Sequence, residues 1–79
     1  MEKLPLQTII VVSENRPGVL YRISGILLRR KINVEHLEVH AINKHEARFT
    51  IEIYTTRDVV EKLTAQIAKI IEVKQTNIV

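Results

Sequence analysis

The feature that most limits what this chain can fold into is its hydrophobic period, which switches between strand-like and helical along the sequence. Leu6 to Ser13 is dominated by β-branched residues and is apolar on both faces, as in a strand at the middle of a sheet. Pro17 suits the first turn of a helix, where its missing N–H costs nothing. Val19, Leu20, Ile23, Ile26 and Leu27 then make one apolar stripe at helical spacing. Ser24 and Gly25 fall between these positions and give the helix a narrow side for close packing. The helix is predicted to stop near Arg30 or Lys31.

Asn33 to Ile42 reads as a second strand with a change of phase. Val34 is apolar, but Leu37, Val39 and Ala41 alternate from three residues later, which calls for a bulge near Glu35 and His36. A polar turn, Asn43-Lys44-His45-Glu46, leads to a third strand. There Ala47, Phe49, Ile51 and Ile53 point one way and Arg48, Thr50, Glu52 and Tyr54 the other, so the pair is a hairpin with one buried face. Thr55-Thr56 offers an N-cap, followed by Asp58 and Glu61. Val60, Leu63, Ile67, Ile70 and Ile71 form the second helical stripe, and a short strand over about Val73 to Val79 closes the chain. The order βαββαβ, with short connections, predicts an α+β ferredoxin-like sandwich. Residues 1–79 are expected to form one domain, a four-stranded antiparallel sheet with both helices on one face.

Composition removes several function classes. At 79 residues the core is thin for its surface, and burying a further face in an oligomer is one way to gain stability. The chain has no cysteine, which excludes disulfides, thiolate metal sites and cysteine catalysis together. No apolar run approaches the roughly 20 residues that span a bilayer, and the first residues do not resemble a signal peptide. A soluble cytoplasmic protein is the expectation, with no membrane partner. Arg29, Arg30 and Lys31 account for much of the net charge of +3, and they sit where cations complement a helix dipole. Tyr21, Phe49 and Tyr54 are the only aromatics, too few for a stacking platform, so no nucleic acid is expected.

Catalysis finds little to work with. Ser13 and Ser24 have no His or Asp at a suggestive spacing, and Glu52 and Arg48 are expected to pair on the sheet surface. His36, His40 and His45 surround the hairpin without a tight ligand pair, so no metal and no cofactor is expected. The glycine-rich phosphate loop of acylphosphatases, which share the sandwich, is not recognisable. The place with chemistry to offer is the corner Glu14-Asn15-Arg16-Pro17-Gly18-Val19-Leu20, between the first strand and the first helix. Free backbone N–H groups at such a helix start can receive a small anionic or zwitterionic ligand. Read locally, Asn15 also suits a helix cap, Gly18 a tight turn and Asn33 the entry to a strand.

That corner, with Arg22, Ile23, Ser24 and Gly25 after it, resembles the start of the ACT domain in acetolactate synthase small subunits. The run Arg29-Arg30-Lys31-Ile32-Asn33-Val34-Glu35-His36-Leu37 is similar to that family's "RRGxNIESL" segment. Thr50-Ile51 and the ending Ile67-x-x-Ile70-Ile71-x-Val73 also fit its pattern. The resemblance covers nearly the whole chain. It implies a regulatory subunit with no catalysis of its own, which binds a branched-chain amino acid, typically valine. Such a subunit transmits feedback inhibition to the thiamine-dependent catalytic large subunit of acetolactate synthase. The family's domains dimerise side by side and hold the effector at the interface.

By position, Asn15 would contact the effector through its amide and Gly18 would let the backbone approach closely. Arg16 and Pro17 complete the corner, Val19 and Leu20 would help line its apolar side, and Asn33 would reach in from the neighbouring chain. The chain departs from the family in several places. Lys31 stands where the family has glycine, so a left-handed turn there would be strained, and His36 stands where it has serine. The turn between the second and third strands looks shorter than the family norm. Many of these subunits carry a second domain after the ACT domain, and this chain ends where that would begin. Two other classes remain open from the sequence: a free-standing sensor of an amino acid or a metal, and a small enzyme on the same sandwich.

Overall fold

The computed structural model describes residues 4–79, in the order β1 (Leu6–Glu14), α1 (Pro17–Arg29), β2 (Val34–Ala41), β3 (Glu46–Tyr54), α2 (Arg57–Ala68) and β4 (Val73–Ile78). Every strand pairing is antiparallel, and the sheet order is β2-β3-β1-β4. Both helices lie on one face. The α+β ferredoxin-like sandwich read from the hydrophobic period is therefore the fold observed.

Period-2 alternation decides which side of each strand is covered. Ile9 and Val11 of β1 and Ala47, Phe49, Ile51 and Ile53 of β3 turn towards the helices and are buried. Val19, Ile23 and Leu27 of α1 meet them from above, together with Val60, Leu63 and Ile67 of α2. Burying a side chain of this size contributes roughly 1.5–3 kcal/mol, so these two stripes fix where each helix lies. Ile10 and Val12 point to the opposite, uncovered face and stay partly exposed, although β1 is central as its sequence suggested.

The register of the β2–β3 hairpin shifts between Val34 and His36, which puts the predicted bulge at Glu35. Leu37, Val39 and Ala41 thereby face the helix side, opposite Ile51, Phe49 and Ala47. They are not buried there. All of β2 is exposed, because it is an edge strand beyond the reach of α1.

Three expectations need correction. The second stripe does not extend to Ile71, because α2 ends at Ala68 and Ile71 is 89% exposed in the turn that follows. Leu20 is 39% exposed at the flank of α1 and does not belong to the core. Arg48 and Glu52 form no ion pair among the described residues. Four residues along a strand separate them by about 13 Å, too far for their side chains to meet readily.

Helix α1 closes with a Schellman motif. The Lys31 N–H donates to the Leu28 carbonyl at 3.0 Å and the Ile32 N–H to that of Leu27 at 3.2 Å. This turn holds Lys31 at φ 55°, the left-handed region that favours glycine. The strained turn anticipated at Lys31 is thus present.

Candidate functional site

The corner between β1 and α1 is held by backbone rather than by side chains. The Asn15 N–H donates to the His45 carbonyl at 2.9 Å, tying the corner to the β2–β3 turn, and the Arg16 N–H donates to the Glu14 carbonyl at 3.0 Å. Arg16 is the N-cap of α1, extended at φ −130° and ψ 138°, and its side chain caps nothing. Its guanidinium instead pairs with Glu14 at 3.2 Å. Asn15 is therefore not the helix cap that a local reading allowed. No acidic residue stands in the first turn, so no side chain within the helix answers the positive end of its dipole. Among the described backbone hydrogen bonds, the Val19 N–H reaches the Arg16 carbonyl at 3.1 Å and the Gly18 N–H takes no partner.

Gly18 has no structural need to be glycine. Its φ is not positive, and a Cβ built on it would meet nothing within 4 Å. The tight-turn reading fails, and what the missing side chain leaves open is space outside the chain.

Below the corner lies an open hollow of about 370 Å³ lined by Glu14, Asn15, Arg16, Pro17, Leu20, Val39, Ala47 and Phe49. Its rim is polar and its floor apolar, the division a small amphipathic ligand requires. Val19 does not line it. That side chain is fully buried in the core, one helical position round from Leu20. Val39, Ala47 and Phe49 belong to the hollow through the hairpin register; their alternation in the sequence placed them on the helix side but not beneath the corner.

Asn15 and Asn33 are far apart in one chain. Asn15 is bonded beside Glu46 at the start of β3, while Asn33 precedes Val34, which pairs with Ile53 near its end. The intervening strand is about 23 Å long. Asn33 lines a separate hollow of about 580 Å³ with Arg30, Lys31, Glu35 and Tyr54 among its walls.

The electrostatics of the corner continue into the β2–β3 turn. The Asn43 side-chain oxygen accepts from the His45 and Glu46 N–H groups at 2.7 and 2.9 Å. The Glu46 carboxylate accepts from Lys74 at 2.9 Å and from Asn43 at 3.1 Å. The Lys74 hydrogen bond, then that of Asn43, hold this carboxyl below its usual value. Among the described residues no three His, Asp or Glu side chains are grouped to hold a metal, and no helix is long and apolar enough to cross a membrane.

Comparison with known proteins identifies the architecture. Residues 9–75 match the family described as the AHAS (acetohydroxyacid, or acetolactate, synthase) small subunit-like ACT domain. A probable acetolactate synthase small subunit of Archaeoglobus fulgidus is 41% identical over 66 residues, covering 82% of this chain and 42% of that protein. The acetolactate synthase small subunit of Mycobacterium leprae is 38% identical over 74 residues, covering 92% of this chain and 44% of that protein. The chain thus spans less than half the length of these curated relatives. Among solved structures, the acetolactate synthase small subunit of Thermotoga maritima shares the fold at a TM-score of 0.83 and 20% identity, over 95% of this chain and 47% of that one. The ACT domain of a Chlorobium tepidum GTP pyrophosphokinase does so at 0.81 and 18%, over 95% and 85%. The chain belongs to the ACT-domain family of acetolactate synthase small subunits.

Proposed function

We propose that residues 1–79 form one ACT domain of a non-catalytic regulatory subunit of acetolactate synthase. The domain binds a branched-chain amino acid, valine first among them, and passes its occupancy to the catalytic subunit. The observation that carries this reading is the corner hollow, with its polar rim, its apolar floor and an uncapped helix start beside it. An amino-acid carboxylate suits the open Gly18 N–H and the positive end of α1. The Asn15 amide can donate and accept, and an aliphatic side chain suits Leu20, Val39 and Phe49.

The proposed assembly is a dimer through β2. That edge has an unpaired row of backbone groups, and Val34, Leu37 and Val39 are 38%, 37% and 47% exposed on it. A second copy aligned antiparallel about a two-fold axis extends the sheet and covers these side chains. The same alignment carries the partner's strand start, with its Asn33, towards the corner end of β2. One chain keeps Asn15 and Asn33 about 23 Å apart, and two chains can bring them together. Arg16, Pro17 and Gly18 then frame the pocket, and Val19 contributes only by anchoring the first turn of α1 in the core. Regulation follows by linkage, because an effector changes the partner's activity only through its differential affinity for the assembled states.

A thermal-shift series with valine, leucine, isoleucine and unrelated amino acids, run beside sedimentation velocity, tests the reading. A ligand at a hundredfold excess over its dissociation constant adds about 2.7 kcal/mol of stability. Valine should raise the melting temperature of a dimer, and Asn15→Ala should remove that rise while leaving the ligand-free melt unchanged. A monomer that ignores all three branched-chain amino acids would sink the effector reading.

A further inference from the structure

Helix α1 has an outward face that neither the core nor a β2 dimer uses. Tyr21 and Leu28 stand there 81% and 74% exposed, two turns apart, and Ser24 and Gly25 form a notch between them. A groove of about 490 Å³ runs across this face and reaches Ile70, just beyond the end of α2. Nothing inside the chain asks for glycine at position 25. Its φ is not positive and a Cβ built there meets nothing within 4 Å, although glycine in mid-helix weakens the helix. The missing side chain gains its use only when another backbone lies across the helix there.

Charge selects the partner. From Asn15 to Val34 the sequence contains no acidic residue, while Arg16, Arg22, Arg29, Arg30 and Lys31 are all cationic. Arg22 is answered by Glu72, but Arg29, which lines the groove, has no ion pair among the described residues. A second copy is a poor occupant, since a two-fold contact would set this acid-free helix against itself. A segment with apolar side chains flanked by carboxylates matches both the groove and its rim.

We infer that the outer face of α1 is the surface by which this domain grips the catalytic subunit, through an acid-flanked apolar segment of that partner. The inference rests on the partnership proposed above. It is tested by titrating the full chain against the acetolactate synthase catalytic subunit of the same genome, with Gly25→Leu and Arg29→Glu beside the unsubstituted chain. Each substitution should weaken the complex at least tenfold, and salt should reduce the difference made by Arg29→Glu. Both variants should keep the dimer and the valine-induced shift, which shows that the fold and the corner are intact.

Binding by the unsubstituted chain that both variants match within twofold overturns the docking surface and leaves the regulatory partnership standing. No binding by the unsubstituted chain removes the partnership, and this surface with it. Phosphatidylserine vesicles form the control arm for a basic, apolar helix face. Vesicle binding lost in both variants, with catalytic-subunit binding unchanged, would assign the face to a membrane instead.

Discussion

Helices α1 and α2 have 13 and 12 residues and lie on the same sheet face, yet they are finished differently. Inward they are alike, each burying three aliphatic side chains. Outward, α2 is self-sufficient. Thr56 caps it by accepting the Val59 N–H at 3.3 Å, Asp58 answers the dipole, and Arg57–Glu61 and Asp58–Lys62 pair along its surface. Helix α1 has no side-chain cap, no acid in its first turn, two glycines, an exposed Tyr21 and Leu28, and a strained lysine just beyond its end. The difference teaches that packing positions both helices, while only α2 satisfies its start locally. What α1 leaves open is what a ligand and a partner can use.

The largest effects should erase the difference. Ile23→Ala in α1 and Leu63→Ala in α2 each remove a fully buried side chain, and each should cost about 2–5 kcal/mol in urea denaturation. A much smaller loss for Ile23→Ala would mean that α1 is loosely held on its inner face as well, and the contrast would no longer be confined to the outside.

The caps should sharpen it. Thr56→Ala should lower stability by about 1 kcal/mol, because the Val59 N–H loses its acceptor. Arg16→Ser places a capping oxygen where α1 has none and should raise stability by about 0.5–1 kcal/mol, the exposed Glu14 pair being worth little. The new cap competes for the open N–H group of Gly18, so the same substitution should shrink the valine-induced thermal shift. A gain in stability with the shift unchanged would separate the ligand from the helix start.

Smaller gains should come from positions where α1 departs from local preference. Gly25→Ala has room and a helical backbone, and should add about 0.5–1 kcal/mol. Lys31→Gly relieves the left-handed residue at φ 55°, but glycine's freedom in the unfolded chain offsets part of the gain, leaving about 0.5 kcal/mol. Thermal melts of both variants check these values, and a loss of stability in either would show that the residue is held by contacts its exposure does not suggest.

The fold was largely legible in the sequence because period switches and turn chemistry are local signals. Pro17 marked the first residue of α1, the phase change after Val34 marked the bulge, and Thr56 marked the start of α2. Burial was less legible. Leu37 and Val39 alternate as a core face does, but an edge strand outside the cover of α1 leaves them exposed, and only the sheet order reveals that. The corner was legible as Asn15-Arg16-Pro17-Gly18, whereas its floor was not. Val39 and Phe49 reach it through cross-strand pairing, a non-local relation that spacing does not encode. Val19 enters the core while its neighbour Leu20 borders the hollow, because adjacent helix positions face about 100° apart and a motif read by position does not separate them.

The smallest effect concerns how the two helix starts are held. The start of α2 has its own cap, but that of α1 hangs from the β2–β3 turn through the Asn15 N–H and the His45 carbonyl. That turn is fastened by Glu46, whose folded carboxyl titrates below its usual value because of Lys74 and then Asn43. A group lowered on folding contributes fully above its unfolded pKa and loses that contribution as pH falls through its folded one. Acidification below the ordinary glutamate range should therefore loosen the corner of α1, whereas the Thr56 hydroxyl that caps α2 carries no proton to gain over that range. In an NMR titration, the Asn15 and His45 amide shifts should follow the Glu46 carboxyl. Lys74→Met should move the Glu46 titration up towards the ordinary range and carry the Asn15 shift with it. If the Asn15 amide titrates independently of Glu46 in both proteins, the corner is not suspended from the turn, and the two helix starts differ only in their caps.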